Sequence, residues 1–427
     1  MKNESMTVEP VTEKSAGISY PIPFGPSGSG LIIVILLALT AFCPAIASFF
    51  IGDDFDFLLH TSRIDSVKEA LTFSFWGEYM PVFTLTFLLD RALWDLNPLG
   101  FHLTSFIFHA LATLAAFLLG RELAGQDARI GFICAVLFAV HPVHDEAVIY
   151  IAARAHVAAA ASIMLALYFH ARFRRTGRIR NLLAGVGLLA LALLSKEAGL
   201  LVPGLVLALD GLVLVGPERN LSAGKRIGMI VPAVIPYLAV SMLYLLGRFF
   251  FIQVAKDKVG LMHENTWEWE RIPAYFTMTF LPLPGTLLDA EGIRLFLIPG
   301  TVLLCAVFIC VVMLYIKDVK RGVTSMGAPL LFSLLFFLAT TAPFLMDALK
   351  LKRRYAYYSS FGACLFFSIV IVWLFQGKAV WKRILSAALL GLLVIGCGVA
   401  SIDRSLKYRT SGKIAKNIVE DLQAGLK

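Results

Sequence analysis

Apolar runs of membrane-spanning length recur along nearly the whole chain of 427 residues. About 20 apolar residues cross a bilayer as a helix. The clearest runs are Leu31 to Phe50, Leu99 to Gly120, Ile151 to His170, Leu295 to Ile316, Leu330 to Met346, Tyr355 to Phe375 and Ile384 to Ser401. Shorter or interrupted runs are Ile130 to Val140, Asn181 to Leu194, Leu200 to Val215 and Ile227 to Phe249. The pattern predicts an all-α polytopic membrane protein with about 11 transmembrane helices.

The composition excludes a soluble enzyme. Hydrophobic residues make up 58% of the chain and charged residues 16%, with a mean hydropathy of +0.78, whereas soluble domains carry roughly 25% charged residues. All six cysteines fall inside apolar runs, where cysteine behaves as a small hydrophobe. We therefore expect no disulfide framework and no cysteine metal site.

The distribution of Lys and Arg predicts the orientation. Residues 171–180 contain five arginines and no acid, which places this loop in the cytoplasm. Alternation from there makes residues 1–30 a cytoplasmic tail, residues 31–401 the membrane domain and residues 402–427 a short outer tail. The loop at residues 51–98 is then outside, and its eight acids against three bases fit that side.

The outer loop at residues 51–98 is long enough to hold structure of its own. Ser66 and Glu69 have the spacing of a capping box, and an apolar run follows from Met80 to Leu93. We expect two amphipathic helices on the membrane surface. A second outer segment, residues 250–294, carries two tryptophans suited to the interface and three prolines that argue against an unbroken span.

Two acidic clusters lie at predicted outer span ends. Asp53 and Asp54 follow the first span, and they suit a catalytic base or a metal ligand, although acids there are also common as a solvated helix end. The second cluster, residues 141–146 (HPVHDE), holds two histidines and two acids. Capping of the next helix explains one acid, whereas the whole group suits a divalent cation or a hydroxyl substrate.

Two basic clusters share that outer side. Lys196 precedes Glu197 in a very short turn between apolar runs, where an ionisable group is a functional candidate; a surface ion pair is the simpler alternative. Residues 350–354 (KLKRR) hold four bases in five positions, against the orientation rule. They indicate a bound phosphate-like anion, unless the span count is wrong by one.

The four clusters together favour chemistry on a lipid phosphate that faces outward. A carboxylate would activate a hydroxyl group, the hydroxyl would attack, and a phosphate would leave, stabilised by Arg and Lys.

The chain resembles the membrane portion of the transmembrane and tetratricopeptide-repeat O-mannosyltransferases and their bacterial relatives, which are GT-C glycosyltransferases. The resemblance is carried by Asn97-Pro98-Leu99-Gly100-Phe101-His102-Leu103, His141-Pro142-Val143-His144-Asp145-Glu146-Ala147-Val148, Arg154, Ser195-Lys196-Glu197 and Arg354-Tyr355-Ala356-Tyr357. It implies a GT-C-like bundle with its catalytic face outside. It also implies a polyprenyl-phosphate-linked sugar donor and inverting transfer to a hydroxyl acceptor.

The resemblance also implies roles for individual residues. The catalytic residues would be Asp53 as base, Asp54 as its neighbour, and Glu146 on the acceptor or sugar side. The donor phosphate would be held by Lys196 and Arg354, with Lys352 and Arg353 added on charge alone. Further substrate contacts are expected from His141, His144, Asp145, Arg154 and Tyr355.

Three positions depart from the family pattern. Asp145 stands where the family commonly has an uncharged residue, His156 stands where it has an acid, and Arg353 replaces the usual Glu. Few residues follow Ser401, so we expect no tetratricopeptide tail and no acceptor docked by such repeats.

Other functions and partners remain to be weighed. A transporter or flippase of lipid-linked sugars would use broken helices near the midplane, and a scaffold for a partner enzyme would leave the four clusters without a role. We expect no nucleic-acid partner, no cofactor and no metal, with a divalent cation at the HPVHDE cluster as the alternative. The expected location is a bacterial inner membrane, with the site facing the periplasm or the outside.

Overall fold

The computed structural model describes residues 28–75, 77–214, 222–251, 271–281, 290–321, 326–345 and 352–425. Helices account for nearly all of these residues, and no β-strand occurs among them, which confirms the all-α prediction. The α-helices are α1 (Gly28–Phe42), α2 (Asp53–Thr61), α3 (Val67–Thr72), α4 (Pro81–Trp94), α5 (Pro98–Leu123), α6 (Ala128–Ala139), α7 (Asp145–Ile149), α8 (Arg154–Thr176), α9 (Ile179–Ser195), α10 (Val202–Leu209), α11 (Ala223–Phe251), α12 (Arg271–Phe280), α13 (Ala290–Arg321), α14 (Gly327–Thr341), α15 (Arg353–Phe375) and α16 (Val380–Gly425).

The protein is an integral, multi-pass membrane protein. Within the described ranges, seven helices are long and apolar enough to cross a bilayer, or eight if α6 and the bent segment 142–149 form one span. That span bends by 50° at Pro142, which lacks the N–H that a continuing helix needs. Shorter apolar helices cover Gly30–Ala45, Ile179–Ser195 and Ile298–Leu314. The count of about 11 stays a prediction.

The loop at residues 51–98 contains three helices, one more than the sequence predicted. Ser66 caps α3 by accepting the N–H of Glu69 at 3.1 Å, as predicted, whereas the Glu69 carboxylate accepts the N–H of Asp65 and not that of Ser66. The prediction of two helices was incomplete, since α2 precedes them. Three acids stand in its first turn, where the helix dipole favours negative charge.

Arg154 joins α4, in the loop at residues 51–98, to α5 of the membrane bundle. Its side chain is 1% exposed, and Nη1 lies 2.6 Å from Oδ2 of Asp90 on α4. Nη2 donates to the carbonyl of Phe101 at 2.6 Å, and Nε donates to Ser105 at 3.2 Å. The buried guanidinium therefore joins α4 to α5, and the substrate contact predicted for Arg154 stays a prediction.

The last helix is longer than predicted. A span ending at Ser401 and a separate tail at residues 402–427 were expected, whereas α16 continues without interruption to Gly425. The sequence after Ser401 contains no proline to stop it. Where the separate tail was expected to begin, Ser401 donates to the carbonyl of Val140 at 2.8 Å, and Ser405 donates to that of Ala41 at 3.1 Å. This part of α16 therefore packs against α1 and the turn after α6.

The second outer segment, predicted at residues 250–294, contributes a buried helix. Residues 273–280 of α12 are all buried, and α12 packs against α13, α14 and α15. The two tryptophans and two of the three prolines predicted to matter here, Trp267, Trp269, Pro282 and Pro284, lie outside the described residues.

We predict that Arg154→Gln strongly destabilises the protein. Removing one partner of a buried ion pair leaves the Asp90 carboxylate uncompensated, at a cost of about 3–5 kcal/mol. Thermal unfolding of the detergent-solubilised protein should show a large fall in Tm. Arg91→Gln, on the same helix as Asp90, is the control and should leave Tm nearly unchanged. Equal Tm values for the two variants would contradict this anchoring role.

Candidate active site

Two adjacent ion pairs join the turn after α6 to the start of α15. The Asp145 carboxylate accepts Nε of Arg353 at 3.1 Å and lies 3.0 Å from its Nη2. The Glu146 carboxylate accepts both the backbone N–H and Nη1 of Arg354, each at 3.1 Å. Two consecutive acids thus meet two consecutive bases, and the KLKRR cluster lies beside the HPVHDE cluster.

The pair between Asp145 and Arg353 joins two of the three departures from the family pattern. Asp145 is fully buried, and Oδ1 also lies 3.8 Å from Nη1 of Arg404 on α16. Arg404 donates in turn to the carbonyl of Pro142 at 2.7 Å. Asp145 and the Arg353 guanidinium therefore engage each other, and the substrate contact predicted for Asp145 and the phosphate contact predicted for Arg353 stay predictions.

His141 and His144 lie in the protein interior. Nε2 of His141 donates to the carbonyl of Thr279 at 2.9 Å, and its Nδ1 accepts the N–H of Val143. Nε2 of His144 bonds the hydroxyl of Ser360 at 2.8 Å. These rings therefore link the end of α6 with α12 and α15, and the substrate contacts predicted for them stay predictions. Nowhere in the described ranges do three or more His, Cys, Asp or Glu side chains form a group that suits a metal ion.

The two acids after the first span have different environments. Asp54 is buried, and its carboxylate accepts the N–H groups of Ala152 at 2.7 Å and Ile51 at 3.0 Å. Burial raises its pKa to about 7. Asp53 is partly exposed. Asp54 therefore fastens α2 to the residues just before α8, whereas Asp53 is less enclosed.

Tyr150 connects Asp53 with the basic end of α15. Its hydroxyl accepts the backbone N–H of Asp53 at 2.7 Å, and the guanidinium carbon of Arg354 lies 5.9 Å from its ring centroid. Gly52 precedes Asp53 with φ +51°, and a Cβ there would come within 3.0 Å of the Tyr150 hydroxyl. This turn therefore needs glycine, and it sets Asp53 against Tyr150.

The ring of Tyr355 gathers several polar groups of the site. Nζ of Lys352 lies 6.0 Å and the guanidinium carbon of Arg354 lies 5.7 Å from its centroid, within cation–π range. The ring of His156 lies 5.5 Å away on another side, and Phe344 stacks on it at 4.1 Å. Tyr355 thus holds together two of the predicted phosphate ligands and one departure from the family pattern.

Lys196 completes the basic group. Nζ lies 2.6 Å from Oε2 of Glu78 and 3.9 Å from Oε2 of Glu197, and Glu197 pairs with Arg248 at 2.5 Å. Lys352 and Arg354 both lie against the Tyr355 ring, whose centroid is 5.5 Å from that of His156. Two of the four predicted phosphate ligands therefore lie close to His156.

Sequence reasoning missed several residues of this site. Tyr150, Glu78, Arg248 and Tyr358 were not singled out, and His156 was noted only as a departure. Tyr150 had a usable signal, since it follows Glu146 by four residues in the same motif. Glu78 and Arg248 had none, because each meets its partner across a long stretch of sequence.

Comparison with known proteins confirms the resemblance seen in the motifs. A Caenorhabditis elegans protein O-mannosyl-transferase is 31% identical over 195 residues, which cover 42% of this chain and 28% of that protein. The chain thus spans less than a third of the length of the curated relatives that it matches. No protein-family profile matches the chain.

Solved structures confirm the GT-C-like fold. The archaeal oligosaccharyltransferase AglB from Archaeoglobus fulgidus, in complex with an inhibitory peptide and a dolichol-phosphate, aligns with TM-score 0.55 and 15% identity, over 88% of this chain and 55% of that one. ArnT from Cupriavidus metallidurans, bound to undecaprenyl phosphate, aligns with TM-score 0.51 and 13% identity, over 90% and 77% respectively.

The pair between Asp145 and Arg353 should show energetic coupling. Asp145→Asn leaves two neighbouring arginines without their acid and should lower Tm by several degrees. The double variant Asp145→Asn/Arg353→Gln should recover part of that loss, with a coupling of about 1 kcal/mol or more. A cycle measured by thermal unfolding that gives additive effects would show that the pair carries no coupling.

Asp54 predicts a pH dependence of stability. Its folded pKa of about 7 lies above the ordinary 3.8, so the folded state holds this proton more tightly. Its contribution to stability is therefore greatest at low pH and declines as pH rises from about 4 to 7. We expect the Tm of Asp54→Asn to fall less than the wild-type Tm between pH 4.5 and pH 7.5. Parallel curves for both proteins would disprove this assignment.

Proposed function

We propose that the protein is an inverting glycosyltransferase that moves a sugar from a polyprenyl-phosphate donor to a hydroxyl acceptor on the outer face of the membrane. One observation carries the proposal. Tyr150 contacts both an acid and a cation: its hydroxyl accepts the backbone N–H of Asp53 at 2.7 Å, and the guanidinium carbon of Arg354 lies 5.9 Å from its ring centroid. Lys352 shares the neighbouring Tyr355 ring with Arg354. That arrangement suits a base at one end of a substrate and a leaving phosphate at the other.

The reaction follows from this placement as a single displacement. Asp53 accepts the proton of the acceptor hydroxyl while its oxygen attacks the anomeric carbon of the sugar. The bond from that carbon to the phosphate oxygen breaks, and the phosphate leaves with a second negative charge. Lys196, Lys352 and Arg354 stabilise this developing charge. Attack from the face opposite the leaving group inverts the anomeric configuration.

The charge of the site fits a donor with one phosphate. Lys196 lies beside Glu78 and Arg354 beside Glu146, and these two cations, together with Lys352, are placed to receive a negatively charged group. A sugar phosphodiester carries one negative charge before transfer. Glu146 fixes Arg354 in place, which makes it a positioning residue for the phosphate.

Several findings support transfer over the flippase alternative. The ionisable groups of the site gather at one end of the bundle, whereas a transporter needs them near the midplane. The sequence relative carries the name of an O-mannosyl-transferase, and two structural neighbours are complexes with a polyprenyl phosphate or dolichol-phosphate. By this proposal, the acceptor is a protein, glycan or lipid hydroxyl, and the membrane is a bacterial inner membrane with the site facing the periplasm.

The direct test is transfer by the purified protein. With a polyprenyl-phosphate mannose and a hydroxyl acceptor, wild type should release polyprenyl phosphate. Asp53→Asn should lower the rate by about a hundredfold or more, the scale of a lost general base, with Tm unchanged. Asp56→Asn, an exposed acid in the same turn, should behave like wild type. Full activity of Asp53→Asn would remove this mechanism, and movement of donor across vesicles without covalent change would favour a flippase.

Metal removal provides a second test. Because Lys and Arg can neutralise a single phosphate, we propose that transfer needs no divalent cation. The initial rate in excess EDTA should equal the untreated rate. A loss of activity that Mg²⁺ or Mn²⁺ restores would show that a cation takes part.

A further inference from the structure

His156 occupies a buried position at the centre of the cationic group. It lies in the first turn of α8 and is 5% exposed. Its Nδ1 lies 3.0 Å from the hydroxyl of Tyr358 on α15. Lys196 reaches it from the α9 side, and Arg354 from the start of α15. No step of the proposed reaction yet uses this side chain.

The second nitrogen of His156 is available to a ligand. Nε2 makes no hydrogen bond to any residue in the described part of the chain. By contrast, the Nδ1 atoms of His102, His144 and His170 are each completely enclosed by protein and have no hydrogen-bond partner in that part of the chain. Nε2 is therefore neither hydrogen-bonded nor completely enclosed by the described residues.

The surroundings determine which nitrogen carries the proton. Burial and neighbouring cations both disfavour a positively charged imidazole, so we assign the ring as neutral, with one donor and one acceptor nitrogen. Within the described residues, the Tyr358 hydroxyl makes its hydrogen bond to His156 alone, and the phenol needs an acceptor for its proton. Tyr358 therefore donates to Nδ1, which leaves the proton on Nε2.

We propose that Nε2–H of His156 donates a hydrogen bond to a phosphate oxygen of the lipid-linked substrate, and that Tyr358 is the positioning residue that fixes this tautomer. The inference rests on the proposed function, since it assigns a further ligand to the same phosphate. A neutral donor among cations adds a directed hydrogen bond without adding repulsion to Lys196 and Arg354. It is also present both before and after the phosphate gains its second charge.

The test measures binding of a polyprenyl monophosphate and of the corresponding polyprenol, which lacks the phosphate, to the full-length protein in detergent. His156→Phe should raise Kd for the phosphate about tenfold or more, the scale of a hydrogen bond to a charged group, and should leave the polyprenol Kd unchanged. Tyr358→Phe should raise the phosphate Kd by a smaller factor, about threefold. His156→Gln, which keeps an N–H donor, should bind within about threefold of wild type.

The controls separate the two levels of the proposal. Lys196→Gln should weaken phosphate binding whatever His156 does. If Lys196→Gln weakens it while His156→Phe and Tyr358→Phe bind like wild type, the role of His156 is refuted and the proposed function stands. If wild type does not distinguish the phosphate from the alcohol, the proposed function itself is refuted. Should His156→Phe fail to fold, Tyr358→Phe and His156→Gln decide the question in the same assay.

Discussion

The site depends on the two ion pairs that hold the start of α15 against the turn after α6. Asp145 with Arg353 and Glu146 with Arg354 fix both the depth and the rotation of α15. Since residues three apart share a helix face, fixing this end sets Tyr355 and Tyr358 toward His156. In buried ion pairs of this kind, the attraction between the charges does little more than offset the free energy of removing both from water. We infer that they specify the register of α15 more than they stabilise the fold.

A second constraint sets the position of the base. Gly52 adopts a backbone conformation that favours glycine, and the Asp54 carboxylate accepts hydrogen bonds from backbone N–H groups. Asp53 is thereby presented outward beside Tyr150. The two neighbouring acids thus differ: Asp54 builds the turn, and by our proposal Asp53 meets the substrate. A buried arginine, Arg154, holds the adjoining outer helix to the same bundle.

Much of this architecture could be predicted from the sequence, because hydrophobic runs, the bend at Pro142 and the cap at Ser66 are local features. The basic and acidic clusters were also identified, and their roles toward a substrate stay predictions. The choice of partners was not predictable, since Asp145 meets Arg353, and Arg154 meets Asp90, across long stretches of chain. For the same reason, His141 and His144 looked like ligands, although tertiary packing buries them.

The most direct measurement is a structure of the protein with a bound polyprenyl phosphate. The account predicts the phosphate among Lys196, Lys352 and Arg354, with its oxygens within hydrogen-bond distance of Lys196 and Arg354 and the lipid chain leading into the bilayer. It also predicts the Asp53 carboxylate on the far side of the sugar position, with room for an acceptor hydroxyl between. A phosphate bound at the arginines of residues 172–180, with the group of Lys196, Lys352 and Arg354 empty, would contradict the account.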